Sequence, residues 1–324
     1  MSAFLTIIIA MEEKNTQFIT QTFNTIDEMT RSSINWKYAP VYQLKPHAFE
    51  GKNDIAILPS LQLSYGKRSG GILYSVKSPK GMLSVAVILR ADGKVCFGNL
   101  KLKKGDILFF DDKTPNILVT SDMFEAAILS IPRNRYRKYT QTLSANLGKV
   151  IDDDGSFADA LLSARQQFQE HPESLDDIAG LQALEERLFK TLSTITQKRT
   201  AYVPKLTKGE RIALKIRDRI YKKVTKKVTI SSLAEEFGVS EQTLQNAFKS
   251  LFDMTPNRFL RNLKLNHVRK VLIGASPIDQ TIVQAANRWG FTHMGHFSRY
   301  YTDLFGENPS VTLCHTFIND TQAK

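Results

Sequence analysis

The chain has 324 residues and a formal net charge of +12 at pH 7; 42% of its residues are hydrophobic and 23% are charged. This length exceeds what one compact core usually holds, so two domains are expected. The composition is typical of a folded globular protein and excludes a disordered or collagen-like chain. Two distant cysteines, Cys96 and Cys314, cannot form a disulfide framework, and no apolar run reaches the ~18 residues that span a bilayer. We therefore expect a cytoplasmic protein that does not act at a membrane.

Residues 1–10 are mostly apolar and resemble a signal peptide, but they lack a basic segment and precede Met11-Glu12-Glu13-Lys14. We favour Met11 as the natural start, with residues 1–10 as an upstream extension. A short buried strand is the alternative.

Residues 41–131 contain short β-rich runs at roughly ten-residue spacing, separated by turn signals such as Asp92-Gly93. This pattern predicts an antiparallel sandwich or a small barrel. The predicted strands are Val41–Leu44, Ile55–Tyr65, Ile72–Val76, Leu83–Leu89, Val95–Phe97, Ile107–Phe110, Ile117–Val119 and Phe124–Ile131.

Near residue 155 the apolar spacing becomes helical, and a second helical stripe follows Pro172. The members of this stripe are Leu175, Ile178, Leu181, Leu184, Leu188, Leu192 and Ile195. Two alternatives remain open from the residues alone. The stripe packs on the β-rich domain, or it meets the stripe of a second protomer through Leu184, Leu188 and Leu192.

Residues 197–209 are polar and basic and contain Pro204, which is typical of a linker. We therefore divide the chain into a β-rich domain (1–150), a helical element (151–196), a linker (197–209) and a helical domain (210–324). Residues 1–196 carry 23 Lys and Arg against 22 Asp and Glu, whereas residues 197–324 carry 21 against 10. The excess positive charge of the second half favours a polyanion as its partner, although basic faces are often merely solvated.

Residues 230–251 carry the pattern of two short helices joined by a tight turn. Gly238 supplies the left-handed turn, Ala234 four residues earlier allows close helix approach, and Leu244 lies on the inner face of the second helix. The predicted N-terminal caps are Ser231 or Ser232 for the first helix and Ser240 for the second. This pattern predicts a DNA-binding helix-turn-helix rather than an ordinary helical hairpin.

A second copy of the pattern occupies residues 282–304, where Ala286 again lies four residues before a turn glycine, Gly290. Phe297 falls one position later than Leu244 does in the first copy, so the second turn is predicted to be one residue longer. Between the copies, residues 256–273 predict one long helix that ends at Gly274.

These residues resemble the AraC/XylS family of transcription regulators over about Arg211–Leu313. The matching positions are Leu233-Ala234, Gly238-Val239-Ser240, Leu244, Phe248, Pro256, Leu263-Lys264-Leu265, Arg269–Leu272, Ala286, Gly290-Phe291, His296-Phe297-Ser298-Arg299, Phe305-Gly306 and Pro309-Ser310. Residues 285–313 are most similar to regulators of the ethanolamine-utilisation type. The chain departs from the family at Asp253, where Gly is usual, at Val268 for a common Ala, and at Leu313 for a common Arg.

The resemblance implies an α+β two-domain fold. Its N-terminal part would be a cupin-like β-barrel that binds a small effector, with a helical dimerisation element, and its C-terminal part an all-α domain with two helix-turn-helix units. It also implies a homodimeric activator that contacts double-stranded DNA and RNA polymerase. Lys104-Gly105-Asp106 and Pro115-Asn116 are similar to a cupin turn.

A catalytic cupin needs a cluster of metal ligands, whereas residues 1–150 contain a single histidine, His47. We therefore expect no enzyme activity, metal or cofactor. The alternatives are a cupin-type enzyme fused to a DNA-binding domain and a DNA-architectural protein without an effector.

The residues expected to face DNA are polar or basic side chains on the outer faces of the two recognition helices. They are Glu241, Gln242, Gln245, Asn246 and Lys249 in the first unit, and His293, Met294, His296 and Arg299 in the second. Gln and Asn can pair with adenine, Arg and Lys with guanine, Glu with cytosine, and Met can contact a thymine methyl. For each of them a solvated or phosphate-facing side chain is the alternative. The basic tracts 211–219 and 222–227 are expected to contact phosphates.

Overall fold

The structure is a computed structural model that describes residues 16–32, 40–46, 49–274 and 281–314. The expectations for residues 1–10 and for His47 lie outside the described residues. Within those ranges the fold is α+β with two domains, and no helix is both long and apolar enough to cross a lipid bilayer.

Two antiparallel sheets form the N-terminal domain. One has seven strands in the order β1-β3-β4-β11-β6-β9-β12, and the other has five in the order β2-β5-β10-β7-β8. The strands are β1 (Gln17–Phe23), β2 (Val41–Gln43), β3 (Gly51–Ile57), β4 (Gln62–Arg68), β5 (Ile72–Val76), β6 (Met82–Ala91), β7 (Val95–Phe97), β8 (Leu100–Leu102), β9 (Asp106–Asp111), β10 (Asn116–Thr120), β11 (Phe124–Pro132) and β12 (Val150–Asp152).

The cupin-like barrel expected here is not closed among the described residues. A barrel requires the outermost strands to pair with one another, whereas β1 pairs with β3 and β12 pairs with β9. The free edge of β12 is covered instead by the linker, because Tyr202 exchanges two backbone hydrogen bonds with Val150 at 2.8 and 2.9 Å. The domain is therefore a sandwich of two open sheets.

Both sheets are buried on both faces, apart from the outer strand β1, in which only Phe23 is buried. In the five-stranded sheet, Tyr74 and Leu118 point into the core between the sheets, whereas their neighbours Leu73, Ile117 and Val119 point into a second core on the opposite face. This alternation follows from the two-residue period of a strand. It also explains why most strands are apolar runs without polar positions.

Helices cover the outer face of the seven-stranded sheet. They are α2 (Arg137–Ser144), α3 (Ser156–Glu170), a short 3-10 helix (Pro172–Asp176) and α4 (Ile178–Lys198). Helix α1 (Ile26–Ser32) instead packs beside β1 and β2, with Ile26 and Met29 in the core between the sheets. Helices α3 and α4 together with the sheet form one apolar core. The short elements β1, α1, β8, α2 and β12 were not predicted, because elements of three to eight residues leave too little periodic pattern.

The apolar stripe of α4 packs on the sheet of its own chain. Leu184 is 3% exposed and both Leu188 and Leu192 are 0% exposed, all within the α3–α4–sheet core. Ile178, expected in the stripe, is instead 65% exposed because it lies in the first turn of α4. This arrangement favours the packing alternative and argues against these three leucines as a dimer contact.

The C-terminal domain consists of helices α5 (Lys208–Lys222), α6 (Ile230–Glu236), α7 (Glu241–Phe252), α8 (Pro256–Ile273), α9 (Ile282–Arg288) and α10 (Met294–Phe305). A further short helix spans residues 309–314. The linker is short, since α4 continues to Lys198 and α5 begins with a capping box between Thr207 and Glu210.

The two domains share a hydrophobic core. Side chains of the five-stranded sheet, including Tyr42, Leu73 and Cys96, pack in one cluster with α5, α7 and α8. We call this contact the domain seam. The molecule therefore has four layers: α3 with α4, the seven-stranded sheet, the five-stranded sheet, and the C-terminal helices.

Leu188→Glu should lower the free energy of unfolding by at least about 3 kcal/mol, because it removes a fully buried side chain and places a charge in an apolar core. The urea midpoint of unfolding measures this. Gln182→Glu, on the exposed face of the same helix, is the matched control and should leave the midpoint nearly unchanged. A folded, monomeric Leu188→Glu protein with the wild-type midpoint would contradict the packing described here.

Candidate nucleic-acid interface

The first helix-turn-helix unit consists of α6 and α7. Gly238 has φ of 63°, the left-handed conformation that the turn requires, and Val239 donates a backbone hydrogen bond to the Ala234 carbonyl at 3.0 Å. Ser240 caps α7, as expected, by accepting from the Thr243 backbone. Helix α6 is capped by Thr229 rather than by Ser231 or Ser232.

The cap of α6 differs from the expectation because Ile230 already belongs to the helix, which places Ser232 at its third position. There Ser232 completes a capping box with Thr229: each side-chain oxygen accepts from the backbone N–H of the other residue, at 3.1 and 3.2 Å.

The second unit, α9 with α10, repeats this geometry. Gly290 has φ of 90°, and Phe291 donates to the Ala286 carbonyl at 3.1 Å, as Val239 does to Ala234. Five residues separate α9 from α10 whereas four separate α6 from α7, so the second turn is one residue longer, as predicted. The packing positions Ala286, Phe297 and Leu244 are all 0% exposed.

On α7, all five predicted DNA-facing side chains are exposed. They are Glu241, Gln242, Gln245, Asn246 and Lys249. Gln242 Nε2 donates to Asn246 Oδ1 at 3.2 Å, one helical turn away, which holds two amides side by side on the surface. Amide side chains held in this way are suited to bidentate pairing with adenine.

The four predicted DNA-facing residues of the second unit, at the start of α10 and along it, differ in their exposure. His293, His296 and Arg299 are exposed, but Met294 is half-buried against the core of the second unit, which limits the surface it can offer to a thymine methyl. The rings of His293 and His296 lie 6.3 Å apart. Among the described residues, no group of three or more His, Cys, Asp or Glu side chains is placed to hold a metal ion.

Helix α8 carries both units and is fastened to the sheet by side-chain amides. Asn266 accepts from the Gln43 backbone N–H at 2.8 Å and donates to the Gln43 carbonyl at 2.7 Å. Asn262 donates to the Leu44 carbonyl at 2.7 Å. These bonds satisfy the outer backbone groups of β2, an edge strand, as a neighbouring strand would.

The second unit is also tied to the N-terminal domain. The Gln43 side chain donates to the Leu304 carbonyl of α10 at 2.7 Å, and Arg269 on α8 pairs with Asp27 of α1 at 3.2 Å and with Glu307. The position of α10 is therefore set partly by residues more than 200 positions earlier in the chain.

A column of rings crosses the domain seam at α8. His267 stacks on Trp289 of the second turn with ring centroids 4.2 Å apart, and its other neighbour is Tyr42 of β2 at 5.3 Å. Burial, together with the nearby Lys270 charge, lowers the pKa of His267 to about 4. At neutral pH this histidine is uncharged.

The departures from the family pattern have local explanations. Asp253 ends α7 with φ of 55°, the left-handed conformation for which Gly is usual, and its carboxylate pairs with Lys45 of the N-terminal domain at 2.8 Å. Val268 is fully buried in α8, and Leu313 packs in the core of the second unit at 8% exposure.

The basic tracts are only partly available to phosphates. Lys222, Lys223, Lys226 and Lys227 are exposed, as is Arg211. Arg217, expected to contact phosphate, is 1% exposed because its face of α5 packs against the domain seam, and Arg219 pairs with Glu236 at 3.5 Å. The exposed lysines at and after the end of α5 thus remain the stronger phosphate candidates.

The sequence pattern did not identify the residues of the domain seam, although a pair of asparagines on α8 indicated it. Asn262 and Asn266 lie four residues apart on a helix face that is otherwise apolar, and both are buried, at 4% and 5% exposure. A buried amide requires hydrogen-bond partners, so such a pair indicates a docked backbone. Nothing in the pattern could have identified β2 as that backbone.

Residues 233–314 match the family model described as "Helix-turn-helix domain". Over 86 residues the chain is 36% identical to the probable thc operon regulatory protein of Rhodococcus erythropolis, covering 26% of each chain. Over 94 residues it is 34% identical to the XylDLEGF operon transcriptional activator of Pseudomonas putida, covering 29% of each. It is also 32% identical to a solved probable AraC family transcriptional regulator from Rhodopseudomonas palustris, covering 34% of this chain and 98% of that chain, with a TM-score of 0.30.

The chain matches the two curated relatives over only 26% and 29% of their length. Their similarity therefore characterises a helix-turn-helix region rather than the whole chain. Both are named as regulators or activators of transcription, and neither is named as an enzyme.

The buried His267 should make the chain less stable as the pH falls from about 6.5 towards 4. In this pH window His267 binds a proton in the unfolded chain but not in the folded chain. The free energy of unfolding therefore decreases with decreasing pH. His267→Phe removes the titrating group and keeps a ring against Trp289, so its urea midpoint should fall less over this range. His171→Phe, at an exposed position, is the control and should follow the wild type. Parallel pH profiles for His267→Phe and wild type would contradict the pKa shift.

Proposed function

Because its C-terminal domain belongs to the AraC/XylS family of helix-turn-helix regulators, we propose that this chain is a sequence-specific DNA-binding regulator of transcription. Each unit inserts its second helix, α7 or α10, into the major groove. By resemblance to the family, the regulator is an activator that acts with RNA polymerase. A small effector that binds in the N-terminal domain controls it.

The observation that carries this proposal is the pair of equivalent units joined by α8. In both, a left-handed glycine lies four residues after a small alanine, and both present exposed polar or basic residues at the start of or along the helix after the turn. A structural helical hairpin has no reason to repeat this exposed surface twice. Polar side chains on a major-groove helix are the groups that distinguish base pairs.

The length of α8 suits two contacts on one face of DNA. Its eighteen residues span about 27 Å at ~1.5 Å per residue. Successive major grooves on one face lie ~34 Å apart, a distance of the same order as the length of α8. One protomer should therefore protect an asymmetric site of about 16–20 base pairs.

Control through the N-terminal domain is supported by the domain seam. Asn262 and Asn266 hold α8 against β2, so a ligand that shifts the five-stranded sheet shifts the helix that carries both units. Between the sheets lies a cavity of about 50 Å³, lined by apolar side chains together with Arg68 and Tyr74. A homodimer stays part of the proposal, but Leu184, Leu188 and Leu192 are already covered within the chain.

The affinity of the full chain for duplex DNA should fall steeply with salt, because each neutralised phosphate releases a counterion. The full chain is required, since a C-terminal fragment would expose the shared core of the domain seam. Lys226→Gln with Lys227→Gln should lower the slope of log affinity against log salt by about two. Lys138→Gln with Lys190→Gln, exposed on the N-terminal domain, is the matched control. Salt-independent affinity, or no binding, would contradict the proposal.

Gln245→Ala and Arg299→Ala should relax base preference at opposite ends of the site, because the two side chains lie on different recognition helices. Each loss should be about 1–3 kcal/mol if the contact is to a base edge, whereas a phosphate contact weakens binding uniformly. Selection of preferred sites from a random DNA pool measures both. Gln182→Ala, on α4, should select the wild-type site. If both variants alter the same base positions, the two helices do not occupy separate grooves.

A further inference from the structure

The loop that leads into the first helix-turn-helix unit touches the turn of the second. We call residues 223–229, which lie between α5 and α6, the junction loop. Gly290 forms the second turn, and a methyl group there would lie 3.3 Å from Cγ and 3.5 Å from the carbonyl oxygen of Lys226. The backbone of the second turn therefore lies against the junction loop, with little room for a side chain between them.

Lys264 of α8 binds the junction loop. Its ammonium group donates to the Lys226 carbonyl at 3.2 Å and to the Val228 carbonyl at 3.0 Å. Hydrogen bonds from a charged donor are stronger than bonds between neutral groups, and two of them fix the position and the direction of the loop. Lys264 is half-buried, whereas Lys270, further along the same helix, is exposed. Lys264 therefore joins the loop to the helix that carries both units.

Trp289, the residue before the turn glycine of the second unit, packs on both units. It lies against the cluster that contains Val228 of the junction loop and Leu233 of α6, and also against the core of the second unit, which contains Ala286. A ring shared by two close-packed cores resists rotation of one unit relative to the other, because either core would lose contacts with it.

The second recognition helix is held to the same part of α8. The guanidinium carbon of Arg261 lies 3.9 Å from the ring centroid of Tyr300 on α10, within the range of a cation–π contact. The Tyr300 ring in turn stacks on His296 at 6.1 Å between centroids and lies 5.5 Å from the guanidinium carbon of Arg299. Arg261 and Lys264 are three residues apart, so they lie on one side of α8. One side of α8 thus binds both the junction loop and α10.

We propose that Lys264 is a positioning residue that fixes the spacing between the two DNA half-sites. The bonds of Lys264, the contact at Gly290 and the shared Trp289 ring hold α7 and α10 at one distance and one rotation. One added base pair moves the second half-site by about 3.4 Å and turns it by about 35° around the DNA axis. A rigid pair of units does not follow this displacement, whereas units joined only at the ends of α8 adjust to it.

The chain then reads the number of base pairs between the half-sites as well as their bases. This inference rests on the proposed function and names a specificity determinant within it.

The test compares the affinity of the full chain for its selected DNA site with the affinity for sites that have one base pair added or removed between the half-sites. The half-sites are the positions that Gln245→Ala and Arg299→Ala alter. Wild type should bind each altered site about tenfold or more weakly, because the base contacts of one unit are lost. Lys264→Met removes the donor, so this penalty should fall to about threefold or less. Lys264→Arg, which again offers donors to both carbonyls, should restore it.

Lys270→Met, exposed on the same helix, is the matched control and should keep the wild-type penalty. The ratio between two sites is measured on one protein preparation, so a general loss of stability does not change it. Lys264→Gln, whose polar side chain is too short to reach both carbonyls, repeats the test if Lys264→Met does not fold.

The proposal is overturned if wild type binds the altered sites within about threefold of the selected one, or if a folded Lys264→Met or Lys264→Gln keeps the full penalty. It is also overturned if Lys270→Met loses the penalty to the same extent. A chain that selects no DNA site contradicts the regulator proposal. A chain that selects a site but accepts altered spacing contradicts only the role of Lys264.

Discussion

The five-stranded sheet has no face exposed to solvent, and this constraint organises the whole molecule. One face meets the seven-stranded sheet, and the other meets α5, α7 and α8. Its edge strand β2 would still present unpaired backbone groups, and Asn262 and Asn266 supply the missing partners. Apolar burial holds the domains together, while the amide bonds determine their register, because hydrogen bonds are directional and burial is not.

This constraint places the DNA-binding units under the influence of the N-terminal domain. Helix α8 is held to β2 along its buried face, and the Gln43 side chain reaches α10 directly. The Arg269 ion pairs and the stacked His267 and Trp289 rings connect the same strand region with the second unit. Since packed cores change by discrete rearrangement rather than by continuous deformation, a displacement of β2 would move helix α8 and with it both units.

One departure from the family pattern, Asp253, strengthens the same contact. Asp253 adopts the left-handed conformation in which most residues other than glycine are strained, and its carboxylate meets Lys45 across the seam. Glu210 caps α5 and pairs with Lys101 of β8. Burial alone would raise the pKa of Glu210, but its hydrogen bonds with Lys101 and Ser250 outweigh burial and hold it at about 2. An ionised carboxylate at each site keeps these contacts charged at neutral pH.

The sequence alone determined the two helix-turn-helix units, since turn glycines, small alanines and helical spacing are local signals. It determined Gly238 and Gly290, the longer second turn and the span of α8. It left open whether the α4 stripe meets the sheet or a second protomer, and whether the strands form a sandwich or a small barrel. The family resemblance implied a cupin-like barrel, whereas the described sheets stay open. Which face of a strand is covered, and by what, depends on contacts between residues far apart in the chain. Arg217 shows the reason: its basic neighbours predict a side chain that contacts phosphate, and only the packing of α5 against a distant sheet buries it.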